Sequence, residues 1–562
     1  MGTRRFRRGT RTWWLPVAAG ATAVAMIAIG VTASALRDAP RHSSAAPAAL
    51  GPPRFVEEAI ASGLEHRYDG DFNYFVGGGV AVFDCNSDGR PDLYLAGGSE
   101  PAALFLNESI VAGELRFSRR AGSATDLVAV TGSYPLDVDA DGHVDLAVLR
   151  VGENVLLRGT GDCAFERANE TWSFDGGSAW TTAFSAKWED GASWPVLAFG
   201  HYLDASSQDN SRLCHDNELV QPVGSAGGFQ ASVPLSPGWC SLSMLFSDWD
   251  RSGRRDLRVT NDRHYYSDYS NGQDQLWRAG RTEAARLYSH GDGWQPLRIW
   301  GMGIASHDLT GDGYPEYFLT SQGDNKLQTL ADGPRQPTYR DIALVSGATA
   351  HRPFAGGDTL PSTAWHAEFD DINNDALMDL FVAKGNVDAQ PGYAQKDPSN
   401  LLLGQPDGTF VEAADDAGIV DFARGRGAAL VDLNLDGMLD LIEVKQRENV
   451  RVWRNAGSGS AAGPRPMGNW LAVQPAQPGA NRDAIGAWLE VSAGERTILR
   501  EITIGGGHAG GQLAPIHFGL GSAEAAQLRV TWPDGQMSAW LPVPVNRQVL
   551  VERDATEVTV VR

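Results

Sequence analysis

The sequence predicts an all-β protein: a seven-bladed β-propeller followed by a small C-terminal β domain, with one apolar helix at the N-terminus. Three observations predict it. The 65 Gly and 29 Pro demand many turns and hence many short strands. An acidic ten-residue motif recurs along the chain. Each recurrence is framed by short apolar runs, about four per repeat, which is the content of a propeller blade.

The bulk properties narrow the setting. A chain of 562 residues exceeds one ordinary domain, and a net charge of −22 excludes nucleic acid as a partner, because phosphate binding needs clustered Lys and Arg. Arg4, Arg5, Arg7, Arg8 and Arg11 precede an uncharged, Ala/Val/Ile-rich stretch over residues 12–36. Positive charge before an apolar run of that length directs the downstream chain out of the cytoplasm. Residues 1–36 therefore read as a signal anchor, holding the chain to the membrane, or as a signal peptide cut after Ala33-Ser34-Ala35. Residues 37–53, rich in Ala, Pro and Ser, read as a flexible tether. Four cysteines in an exported chain fit two disulfides. Cys214 and Cys240 share one segment between repeats and form the natural pair, leaving Cys85 and Cys163 to pair by default.

The motif is Asp-x-(Asp/Asn)-x-Asp-Gly-x-x-Asp-Leu. Its ligand-type positions 1, 3, 5 and 9 are Asp84, Asn86, Asp88 and Asp92 in the first copy, and Asp137, Asp139, Asp141 and Asp145 in the next. Asp248, Asp250, Ser252 and Asp256 come third, then Asp308, Thr310, Asp312 and Glu316. Asp371, Asn373, Asp375 and Asp379 precede the last set, Asp432, Asn434, Asp436 and Asp440. First positions are separated by 53, 111, 60, 63 and 61 residues, so the long gap spans two periods. A worn copy lies there, at residues 186–191, keeping Asp190-Gly191 as the Asp-Gly turn and lacking the first two ligands. Counting it gives seven repeats.

Calcium takes six to eight oxygens, and carboxylates or amides at positions 1, 3, 5 and 9 with a carbonyl at 7 can wrap one ion. Glycine at position 6 permits the sharp turn, though Ala376 replaces it in one copy. The intact copies gather 19 carboxylates at ligand positions, a like-charge crowding that calls for cations. An EF-hand is excluded, because position 12 is Leu95 or Val148 inside a strand-like run where that motif needs Glu. Structural Ca2+ in several loops is the expectation.

An apolar run precedes each loop (residues 79–83, 427–431), another comes directly after it, and a third lies 20 to 30 residues beyond the loop's start (residues 104–107, 450–453). The propeller is assigned to residues 54–456, a Gly/Ala/Ser/Pro linker to 457–466 and a β domain to 467–562.

These blades resemble the FG-GAP/VCBS repeats of integrin α-subunit propellers. More specifically, residues 75–84 resemble the first blade of the ASPIC/UnbV (cartilage acidic protein) family. Asn469-Trp470-Leu471, residues 481–487, residues 516–521 and Val530-Thr531-Trp532-Pro533-Asp534-Gly535 resemble its C-terminal domain. The resemblance implies extracellular matrix proteins among animal relatives and, for UnbV-type members, company with enediyne biosynthesis.

Catalytic motifs are scarce. No Gly-x-Ser-x-Gly, His-Glu-x-x-His or phosphate-cradling loop occurs. His508 and His517 flank Gly-rich sequence without an evident nucleophile or metal partner, and no catalytic residue is assigned. Ser173-x-Asp175-x-Gly177-x-x-Trp180 matches a sialidase-type Asp-box in a single copy. The aromatic loop over residues 261–269 and the insert over residues 202–240 are candidate recognition elements. The favoured function is a calcium-stabilised, exported scaffold that binds a protein or glycan. The alternatives are an enzyme or accessory factor acting on a small molecule, with chemistry in the central channel or the aromatic loop, and a structural envelope or matrix component.

Overall fold

The computed structural model describes residues 48–203, 213–224, 227–262, 272–280, 284–349, 362–387, 394 and 396–562. The expected N-terminal helix, residues 37–47 of the tether and residues 263–269 of the aromatic loop lie outside the described residues. Among the described residues no helix is long and apolar enough to cross a membrane, and helix is confined to single turns such as Ala343–Ser346.

Among the described residues seven antiparallel four-stranded blades succeed one another, the first with a fifth strand added from the C-terminal region. The innermost strands are Val80–Phe83, Val130–Leu136, Thr181–Lys187, Ser241–Ser247, Gly301–His307, Ala364–Asp370 and Gly425–Val431. Six of them carry a register shift near their start, which bends each around the channel. The ring closes where the last innermost strand meets the first. The outermost strand of the seventh blade is Phe55–Glu57, from the start of the propeller, paired with Arg451–Asn455. Arg454 and Glu58 add an ion pair at 2.8 Å. Strands such as Asp92–Leu95 are buried on both faces, because each blade packs on its neighbours.

The C-terminal domain is built of two sheets. Asn469–Ala476 pairs with Ile516–Gly521 and Arg547–Glu552, while Trp488–Ala493 pairs with Arg496–Glu501 and Ala526–Thr531. Leu471, Val473, Leu489, Val491, Phe518 and Val530 fill the space between them.

Between Arg496–Glu501 and Ile516–Gly521 the chain leaves this domain and enters the propeller's centre. Ile504, Gly505, Gly507 and Gly510 bridge to Ala186, Leu245, Ile304 and Ser133 on four different blades. Gln512–Leu513 adds a parallel strand to the first blade. The Gly-rich run over residues 505–511 is therefore a plug in the channel. A Cβ on Gly507 would stand 2.6 Å from the His366 ring, and one on Gly510 would stand 2.2 Å from the Val80 carbonyl. At those two positions glycine is what fits.

Both disulfides form as expected. Cys85–Cys163 ties the first loop to the second blade, and Cys214–Cys240 closes the insert.

Candidate metal centres

Each acidic motif joins the innermost strand of a blade to its second strand, on one face of the ring. The last residue of the first strand pairs with position 9 in every intact copy, as Phe83 with Asp92 and Leu136 with Asp145. Six intact loops thus share one frame, and in the second it brings carboxylate oxygens of positions 1, 3 and 9 within 4.8 Å of one another.

The third blade departs from the expectation set by its sequence. Its strands pair Lys187 with Val196, so position 1 is Trp188 and position 9 is Val196. Asp190 then falls at position 3 and Gly191 at position 4, not at the Asp-Gly turn of positions 5 and 6. The hairpin has the same length, and position 4 takes a left-handed φ here as elsewhere: 69° at Gly191, 60° at Ser87, 61° at Ala140. Trp188, Trp194 and Val196 are buried, while Lys187 Nζ donates to the Arg255 and Ala279 carbonyls of the next blade.

Position 9 is a fastener. One oxygen of Asp145 accepts from Val138 N (2.7 Å) and the other from Gly159 N (2.8 Å). Asp92, Asp379 and Asp440 repeat that arrangement with the amides of position 2 and of the third strand's end. These four carboxylates are fully buried, so a cation would share oxygens already engaged by the backbone. Burial pushes Asp145 up to about 8, with Asp139 and Asp137 adding to it.

Position 1 tells the loops apart. Its Oδ2 accepts from the amide of position 6 in the first, second, fourth and fifth blades, at Gly89, Gly142, Gly253 and Gly313. Ala376 and Gly437 donate in the same way in the sixth and seventh. In the first, sixth and seventh loops Oδ1 accepts from the amide of position 5. In the second and fourth, Asp137 Oδ1 and Asp248 Oδ1 are buried without any partner, as is Asn434 Oδ1 at position 3 of the seventh. A carboxylate oxygen so placed needs a donor or a cation. Asp137 is pushed up to about 6 by burial and then by Asp483, and burial likewise raises Asp248. Ligand oxygens of Asp137, Asp139 and Asp145 lie within 4.8 Å of one another. Of the three loops, the second gathers its carboxylate oxygens closely enough to suit a hard divalent cation, whereas in the fourth Asp256 is already engaged by Arg254, Trp249 Nε1 and Tyr288 OH.

Other loops satisfy themselves more fully. In the fifth, the Thr310 hydroxyl donates to Glu316 (3.2 Å), and Glu316 also accepts from the Leu309 and Thr310 amides. In the sixth, Leu50 N donates to Asp375 Oδ2 (2.8 Å), and Asn373 Nδ2 reaches the Leu50 and Gly51 carbonyls. The end of the expected tether is thereby fixed to that loop. The second loop is satisfied only in part: Arg158 pairs with Asp139 (2.7 Å) and Asp141 (2.5 Å), and a cation at Asp137 would compete with it. Cys85 and Cys163 stand close to Asp92 but are joined to each other, so neither is a thiolate ligand.

The C-terminal domain sits on this same face. Arg482 Nη1 donates to the Gly142 carbonyl (2.6 Å), Arg255 Nη2 to Gly486 O (2.6 Å), and His517 Nε2 meets Asn374 Oδ1 at 2.7 Å. Trp470 packs where Gly437 leaves room for it. The two histidines of the Gly-rich region are structural. His508 Nε2 accepts from Gly77 N (3.1 Å), and both His508 and His517 are held well below the usual histidine range by burial.

Beside the plug a cavity of about 220 Å³ remains, lined by His307, His366, Glu368, Arg500 and Gln512 among others. His366 accepts from His508 N and meets Glu368 at 3.2 Å, and Gln512 donates to Glu368. The channel itself, offered by the sequence as a place for small-molecule chemistry, is occupied by backbone.

Residues 477–558 match the family described as ASPIC and UnbV, and residues 84–148 match the FG-GAP-like repeat. Cartilage acidic protein 1 of Mus musculus is 26% identical over 251 residues, covering 42% of this chain and 34% of that protein. The Xenopus tropicalis protein of the same name is 34% identical over 215 residues, covering 36% of this chain and 30% of its own length. The chain thus spans about a third of the length of the curated relatives it matches. Among solved structures, the Dos1 propeller aligns with 74% of this chain and 97% of its own at 12% identity and a TM-score of 0.35. BBS1N in complex with ARL6DN aligns with 69% and 95% at 10% identity and 0.40. At these scores the likeness is loose.

Proposed function

We propose, from the ASPIC and UnbV match over residues 477–558 and the FG-GAP-like repeat match over residues 84–148, that this chain is an exported, calcium-stabilised scaffold for a protein or glycan ligand. The observation that carries calcium is the pair of buried, unpartnered oxygens on Asp137 and Asp248, each inside a crowded acidic hairpin. Asp139, Asp141 and Asp145 complete the second site; Asp250, Ser252 and Asp256 the fourth. A bound Ca2+ would supply charge neutralisation and rigidity there. Two disulfides support an oxidising compartment outside the cytoplasm, reached by anchor or by secretion. The scaffold reading is supported by the occupied channel and by structural partners for His508 and His517. With the C-terminal domain over the acidic loops, the opposite face is the one left for a ligand. On that face Trp180, Tyr202 and Trp365 are buried in an aromatic cluster, and the half-buried Phe72 and Phe75 pack against it.

Metal analysis of the exported portion, joined to melting curves with calcium and with chelator, tests the first half of this reading. The expected result is several bound calcium ions and a clear drop in Tm on chelation, since an ion that binds only the folded state stabilises it by mass action. A metal-free protein with an unchanged Tm would end it. Parallel glycan-array and pull-down assays in calcium test the second half, and silence in both would refute a ligand-binding role.

A further inference from the structure

Where the C-terminal domain meets the ring, one row of its first sheet leaves a gap. Ala472 pairs with His517 on one side and Gln548 on the other, so the three side chains share one face. His517 Nε2 meets Asn374 Oδ1 of the sixth loop, which turns that face towards the propeller. The short, half-buried side chain of Ala472 stands between them and borders the cavity of about 220 Å³. The rest of the lining comes from the fifth, sixth and seventh blades, the first loop and the plug.

Two side chains in this lining are buried yet have no hydrogen-bond partner among the described residues. His307, the last residue of the fifth blade's innermost strand, is 7% exposed, and neither ring nitrogen is bonded. Gln548 is 6% exposed, and its carboxamide is bonded to no protein group. The half-buried hydroxyls of Ser306 and Thr503 line the same space, also without protein partners. Buried polar groups need a partner, which here water or a ligand must bring.

The charged groups of the lining are in the contrary state. Arg500 donates to Asp370 (2.8 Å) and to the His517 carbonyl (2.9 Å). Glu368 accepts from Gln512 and from Leu430 N, and Glu501 accepts from Ser247 Oγ and Asp248 N. Charge is thus already engaged by the protein, and what is left unengaged is neutral. An imidazole and a carboxamide each offer both a donor and an acceptor, the pattern that hydroxyl groups match. Glu368, Asp370, Asp432 and Glu501 stand against one arginine in this wall, which disfavours an anion.

We propose that this cavity binds a neutral, hydroxyl-rich molecule, a sugar of one or two rings, through His307 and Gln548 between the propeller and the C-terminal domain. Ile304, Phe369 and Leu430 supply apolar wall for its C–H faces. The site depends neither on calcium in the loops nor on the ligand proposed for the opposite face.

Calorimetric titration of the full-length protein, in a detergent without a sugar headgroup, tests this with glucose, galactose, N-acetylglucosamine, maltose and cellobiose. At least one is expected to bind with a Kd below about 1 mM. Gln548→Leu and His307→Phe should each weaken it roughly tenfold or more. Ala472→Leu, which extends a side chain into the gap, should abolish binding. Should His307→Phe not fold, the other two variants decide. No binding by any of the five means that water alone fills the cavity, and overturns the proposal without touching the scaffold reading. A sugar whose affinity survives both Ala472→Leu and Gln548→Leu sits elsewhere, and overturns it equally. Glucuronate or glucosamine binding as tightly as the neutral sugars would refute the assignment to a neutral ligand.

Discussion

The second and third blades carry the same hairpin in opposite chemistries. Both join strands across the same number of residues, and both turn through a left-handed residue at position 4, Ala140 in one and Gly191 in the other. In the second, positions 1 and 9 are Asp137 and Asp145; in the third they are Trp188 and Val196, sealed into the core. The hairpin therefore does not need acids to form. In the second blade the acids crowd one another, rise in pKa and leave Asp137 Oδ1 unpartnered, a cost that the proposed cation would offset.

The sharpest way to break that comparison is to remove the residue at position 3 from each blade. At calcium a hundredfold above Kd, Asp139→Ala should lose up to about 2.7 kcal/mol, the whole mass-action contribution of its site, and one bound ion. Asp190→Ala, on an exposed side chain, should change stability by less than about 0.5 kcal/mol and leave the ion count alone. Calorimetry and metal analysis on both variants would show it, and equal losses would erase the distinction.

The pH dependence comes next. Asp92 and Glu316 are held near 7, Asp137 near 6 and Asp145 near 8, all raised mainly by burial. The metal-free folded state thus holds more protons than the unfolded chain between about pH 4 and pH 8, so its stability falls as pH rises through that window. Calcium competes with those protons, so the calcium-induced rise in Tm should grow from pH 5 to pH 8. A rise that is flat or shrinking over that range would mean the carboxylates are not the calcium ligands.

The smallest effect belongs to the sixth loop. Ala376 holds a φ of 67° where the other intact loops have glycine. Ala376→Gly should relieve that strain and raise stability by up to about 1 kcal/mol, measured with calcium present. A loss of stability would show that the methyl group is packed to advantage.

Much of this architecture was legible in the sequence, for a physical reason. The acidic motif marks one defined corner of six blades, and the doubled gap between Asp137 and Asp248 betrays the seventh. The register of the third hairpin was not legible, because an Asp-Gly pair looks the same at positions 3 and 4 as at positions 5 and 6. Only the strand ladder from Lys187 to Val196 settles it. The plug was hidden too. Residues 505–511 have no apolar periodicity, and their meaning lies in what a narrow channel excludes. The run of five glycines among seven residues was the available signal. Nor does any local pattern announce that Arg482 reaches Gly142 or that Glu501 accepts from Ser247 and Asp248 N, since those partners are separated by hundreds of residues.

The strand Phe55–Glu57 has a consequence for how the molecule comes into being. Its partner, Arg451–Asn455, is synthesised some four hundred residues later. Until then, the nascent chain is an unfinished arc with raw edges at both ends, and bringing those ends together is a slow, entropically expensive event. The ring therefore closes only after its seventh blade has been made. A chain halted short of its seventh blade would be left with exposed strand edges, open to aggregation or to pairing with a neighbour.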